Sequence, residues 1–135
     1  SMFTPVSARA ASAYKQVSTE SRVDSATPHG LIQILFDELL VTLATARAAM
    51  ARGDVATKGR SIGRAIRLLE EGLKAGLDTE RGGVLAENLR NLYDYCGVRL
   101  TIANARNDDA ALQEVIGLIE PIAQGWKQIE GASNA

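Results

Sequence analysis

The run TPHGLIQILFDELLVTLATARAAMARGD, residues 27–54, decides the fold class. Thr27 can accept hydrogen bonds from the free amides of a helix start, and Pro28 suits the first helical position, where its missing N–H would have had no partner. From there Ile32, Leu35, Phe36, Leu39, Leu43, Ala46 and Met50 recur at three- and four-residue spacing, as one buried helix face requires. Gly53 marks the stop and Asp54 can cap a second helix. Ile34, Leu40 and Val41 lie off the stripe, so this helix carries more apolar surface than one core contact uses.

Three further helical segments follow. The spacing predicts a helix over residues 55–76, with Ile62, Ala65, Ile66, Leu69 and Leu73 inward and Arg60, Arg64, Arg67 and Lys74 facing water. Residues 78–83, ending in Gly82-Gly83, read as the clearest loop. A helix over residues 83–106 carries the stripe Leu85, Leu89, Leu92, Cys96, Leu100 and Ala103, with Val84, Tyr93, Tyr95, Val98 and Ile102 on other faces. The last helix, residues 109–129, is capped by Asp108 or Asp109 and turns Leu112, Val115, Ile116, Ile119, Ile122, Ala123, Trp126 and Ile129 inward. Within it Pro121 lacks an N–H and crowds the carbonyl of Gly117, which predicts a bend or break. Short connections force neighbouring helices to run antiparallel. The expected architecture is all-α: an antiparallel four-helix bundle over residues 28–130, preceded by an N-terminal segment and tether at 1–27 and followed by a disordered tail at 131–135.

Composition narrows the function. Acids and bases nearly balance at a net charge of -1, leaving no basic footprint for nucleic acid. No apolar run approaches the roughly 18 residues of a bilayer span, and the start lacks the basic and apolar regions of a secretory signal, so a cytoplasmic location without membrane insertion is expected. Cys96 is the single cysteine and reads as a small buried hydrophobe. One histidine rules out the paired Glu-x-x-His ligands of a di-iron bundle. His29, directly after Pro28, does not suit phosphotransfer, and Gly82-Gly83 lacks the strand and Gly-Lys-Ser/Thr of a phosphate loop. The scattered carboxylates form no acid and base pair. No enzyme activity, cofactor or metal is implied. The surplus apolar surface points instead to a groove for amphipathic segments of another polypeptide.

Particular residues sharpen this reading. Thr27-Pro28-His29-Gly30-Leu31-Ile32 with Leu35-Phe36-Asp37 resembles the Ser-Pro-His-x-Leu-Ile-x-x-Leu-Tyr-Asp signature of the FliS family, with Phe36 in place of the usual tyrosine. Leu77-Asp78, Gly82-Gly83, Ala86-Glu87-Asn88-Leu89, Leu92-Tyr93-Asp94-Tyr95, Arg99-Leu100 and Ala103-Asn104 are similar, in order, to the family's second block. Ala13-Tyr14 with Val17 resembles its N-terminal motif, and Trp126 sits where the last helix often carries tryptophan. Glu38 and Pro121 depart from the pattern.

The resemblance implies a cytoplasmic chaperone that binds the disordered C-terminal segment of flagellin, prevents premature polymerisation and presents it for flagellar type III export. Other flagellar export or regulatory proteins are further candidate partners. By the same resemblance Ile34, Val41, Leu89, Tyr93, Ile102 and Asn104 are expected to contact the partner, and residues 7–17, with Tyr14 and Val17, to form a removable lid. Patterning alone also permits a helical regulatory adaptor for a folded partner, including as a homodimer.

Overall fold

The computed structural model describes residues 27–129. Among these there are four helices and no strand: α1 (Pro28–Ala51), α2 (Val55–Arg67) running straight into a π-helical stretch (Leu68–Lys74), α3 (Thr79–Arg106) and α4 (Asp109–Gln128). Helix α1 packs on α2 and α4, while α3 packs on α4 and on α2 with its π continuation, so α1 and α3 lie diagonally across an antiparallel bundle. The expectations for Tyr14, Val17, the N-terminal segment and the C-terminal tail lie outside the described residues.

The caps act as the side-chain chemistry requires. Thr27 Oγ1 accepts from the amide of Gly30 at 3.0 Å, Asp54 from Thr57 at 3.1 Å and Asp108 from Ala111 at 3.2 Å. Helix α3 ends on Asn107 in the left-handed region, at φ 52 and ψ 48, a conformation asparagine tolerates better than most residues. Between the helices lies one core, in which Leu35, Phe36, Leu39 and Leu43 of α1 meet Ile62, Leu68 and Leu69, then Leu100, then Leu112, Val115 and Ile119.

Three local expectations change. The 78–83 stretch is not a loop: Asp78 caps a helical turn from Thr79, and the chain breaks its helical path only at Gly83, with φ 57 and ψ -136. That region is open essentially to glycine alone, so Gly83→Ala should lower stability by about 1–3 kcal/mol, read from urea denaturation; an unchanged midpoint would mean the kink relaxes freely. Secondly, α4 runs through Pro121 unbroken. Both Pro121 and Gly117 lie on its exposed side, where water can satisfy the carbonyl that proline leaves unbonded. Thirdly, the buried face of α3 is Ala86, Tyr93, Cys96, Leu100 and Ala103. Its first half is therefore one residue out of phase with the expected Leu85, Leu89 and Leu92 stripe, and Leu85 is exposed.

The π-helical stretch was also unanticipated. Its wider turn faces Leu68, Leu69, Gly72 and Leu73 inward together. Gly72 lets it close on α1, since a β-carbon there would meet Leu35 Cδ2 at 3.0 Å. Lys74 does not simply face water; it bonds Glu70 at 3.1 Å and reaches across to Asp94 of α3 at 2.6 Å. Arg64 likewise pairs with Glu38 of α1 at 3.3 Å.

The α2 cap makes stability depend on acid. Hydrogen bonds from Thr57, then from Arg52, hold the Asp54 carboxyl down at about 2, below its ordinary 3.8. The folded value lies below the unfolded one, so this stabilisation is complete above about pH 4 and is lost as pH falls toward 2. Hydrogen bonds lower Asp109, from Arg47, and Glu114, from Tyr95 and Arg99, in the same sense. Melting temperature followed by circular dichroism should hold from neutrality to about pH 4 and then drop. Asp54→Asn, which still caps but does not titrate, should show a shallower drop; identical profiles would remove Asp54 from the account.

Candidate partner-binding surface

The outward side of α3 is apolar along most of its length. Val84, Tyr95, Val98 and Ile102 share that side at heptad spacing with Asn88 and Asn91 between them, and Val84 is 77% exposed, Val98 58% and Tyr95 45%. Leu85, 68% exposed, widens the stripe at its N-terminal end. Ile102 is half-buried.

Charges border the stripe but are paired within the chain. On the α4 side Glu114 accepts from the Tyr95 hydroxyl and from Arg99 Nε, each at 2.6 Å. The Tyr95 phenol is raised by its bond to Glu114, so it stays a neutral donor and its ring is fixed at the edge of the stripe. On the other side Asp94 is held by Lys74, and Glu87 pairs with Arg90. Such a surface offers apolar contact between neutral rims, favouring a partner with its own apolar stripe over a charged one.

Helix α1 presents a second, narrower strip. Val41 is 64% exposed, with exposed Ala44 and Ala48 on the same side and half-buried Ile34 about two turns before it. Because α1 and α3 are diagonal, these two strips look out in opposite directions. At the lower end His29 is buried and stacks on Trp126, ring centres 4.4 Å apart and planes within 5°, while the indole N–H donates to the His29 carbonyl at 3.0 Å. The proline-histidine start of α1 is thereby fastened to the end of α4.

The residues expected to contact a partner are dispersed. Val41 lies on the α1 strip and Ile102 on the α3 stripe, whereas Ile34 and Leu89 are half-buried against the core. Tyr93 was expected to face outward and does not: it is 2% exposed, among the core residues, and burial pushes its phenol well above the ordinary range. Asn104 leaves its side chain in water and uses its carbonyl to accept from Lys58. Tyr95, Val98 and Val84, apolar residues off the expected core stripe, complete the α3 stripe, and their mutual heptad spacing in the sequence is the signal that joins them. Cys96 lies in the core, its thiol pushed up to about 11 by burial. No group of three His, Cys, Asp or Glu able to hold a metal occurs among the described residues.

The family model described as flagellar protein FliS matches residues 10–133. The chain belongs to the FliS family. It is 53% identical over 117 residues to the flagellar secretion chaperone FliS of Salmonella typhimurium, covering 87% of each chain. To the flagellar secretion chaperone FliSB of Pseudomonas aeruginosa it is 47% identical over 116 residues, 86% of this chain and 91% of that one. Against the Bacillus subtilis FliS the identity is 30% over 116 residues, 86% and 82% of the two chains. FliS membership places the bundle among flagellar secretion chaperones, so its apolar outer strips are the surface of a chaperone. No helix among the described residues is long and apolar enough to cross a membrane.

Proposed function

We propose that this FliS-family chain holds the disordered C-terminal segment of flagellin in the cytoplasm, keeps it from polymerising and delivers it for type III export. The observation that carries the reading is the placement of apolar strips on diagonal helices, outward and opposed. A compact folded partner can lie on one side of a bundle about 20 Å across, two helix diameters, but not on both. An unfolded chain can wrap, laying one amphipathic segment on α3 and another on α1, and folding as it does so. Flagellin's polymerising segment would then spend its apolar face on the chaperone.

The test is a titration of the isolated flagellin C-terminal segment into the chain, followed by circular dichroism and by amide shifts. Helical signal should exceed the sum of the components, and amides around both Val41 and Val98 should shift. A segment that binds without gaining helix, or that disturbs only one of the two strips, would defeat the wrapping reading. Saturable binding of a folded flagellar protein in its place would favour an adaptor.

A further inference from the structure

At the upper end of the bundle, where α1 hands over to α2 and α3 to α4, a cleft of about 180 Å³ is lined by Ala49, Met50, Gly53, Asp54, Val55, Lys58 and Asn107. Lys58 is only 5% exposed. Its ammonium donates to the Asn104 carbonyl at 2.9 Å and to Asn107 Oδ1 at 2.6 Å, both neutral oxygens, and among the described residues no carboxylate lies within ion-pairing distance of it. A lysine has three donors, and these two bonds use two.

Charge does not balance here. The two oxygens that hold the ammonium, the Asn104 carbonyl in the last turn of α3 and Asn107 Oδ1, are neutral dipoles, so they solvate the charge without cancelling it. The end of α1 and the start of α2 meet at the same spot with partial charges of opposite sign, which offset one another. Among the described residues Asp54 is the one carboxylate on the wall, and it is committed to Thr57 and Arg52. Structural capping alone explains the two bonds, but it does not account for an open cleft beside a buried cation that no carboxylate among the described residues pairs with.

We infer that this cleft is a carboxylate-binding site, in which Lys58 supplies the counter-charge and Ala49, Met50 and Val55 receive a short aliphatic group attached to the acid. The ligand class is an aliphatic carboxylate. It can arrive as the terminal carboxylate of a polypeptide or as a free small acid. The volume suits one branched aliphatic side chain with its carboxylate and excludes an extended peptide.

Three probes read by amide shifts in the intact chain test it: N-acetyl-leucine, isovalerate and N-acetyl-leucinamide. Both acids should produce saturable shifts at Met50, Gly53, Val55 and Asn107, and the neutral amide should bind at least about tenfold more weakly. Tighter binding of N-acetyl-leucine than of isovalerate identifies a chain terminus as the ligand, and the reverse a free acid. Lys58→Met should abolish the preference for acid over amide; if it unfolds, the acid and amide comparison on the unaltered chain decides alone. Equal shifts from the acids and the amide, or none that saturate, overturn the site.

Discussion

Tyr93→Ala should lower the unfolding free energy by about 3–5 kcal/mol, enough to leave a marginally stable bundle largely unfolded at moderate temperature. The side chain is 2% exposed and belongs to the one hydrophobic core, so its removal opens a cavity of aromatic size. The phenol stays neutral throughout the accessible pH range because burial raises it. Tyr93→Phe, which keeps the ring, should therefore fall within about 1 kcal/mol of the parent. Urea denaturation with an unchanged slope gives both values. A loss under about 1 kcal/mol for the alanine variant would return Tyr93 to the surface, where its family-like position in Leu92-Tyr93-Asp94-Tyr95 had suggested a partner contact.

That reversal shows what a single sequence can and cannot resolve. On α1 the apolar stripe has one plausible phase, and its observed core of Leu35, Phe36, Leu39, Leu43 and Ala46 follows it. On α3, Leu85 and Ala86 are neighbours, as are Leu92 and Tyr93, so two phases one residue apart fit the pattern almost equally. Packing chose between them: Ala86 is buried and Leu85 exposed, just after the Gly83 kink re-aims the helix. Lys58 could not have been recognised as buried, because lysine is ordinarily exposed and only the distant end of α3 supplies the oxygens that admit it. The π stretch depends equally on a non-local fact, the approach of Gly72 to Leu35. The surplus apolar residues on α1 and α3 were legible, but their opposition across the bundle required knowing which helices are diagonal.

Under the proposed wrapping, Val41→Asp and Val98→Asp should each weaken binding of the flagellin C-terminal segment by roughly 30- to 150-fold, about 2–3 kcal/mol, because each would place a carboxylate in an apolar contact. Neither should move the unfolding free energy by more than about 0.5 kcal/mol, since both valines are largely exposed in the free chain. The informative step is to divide the partner. If one wrapped chain lays different segments on α1 and α3, a fragment carrying only the α3-bound segment should be sensitive to Val98→Asp and indifferent to Val41→Asp, and the other fragment the reverse. Each fragment alone should bind far more weakly than the intact segment, because joining the two converts the second contact into an intramolecular one. The intact segment should then bind the Val98→Asp chain more weakly than the parent, but still more tightly than the α1-directed fragment binds, because the α3 contact is weakened and not removed. Calorimetric titration of the three ligands against the parent and two variants measures every term. Should both substitutions weaken the same fragment while the other ignores them, the strips would form parts of one contact, and a partner that wraps from α3 to α1 would no longer fit this bundle.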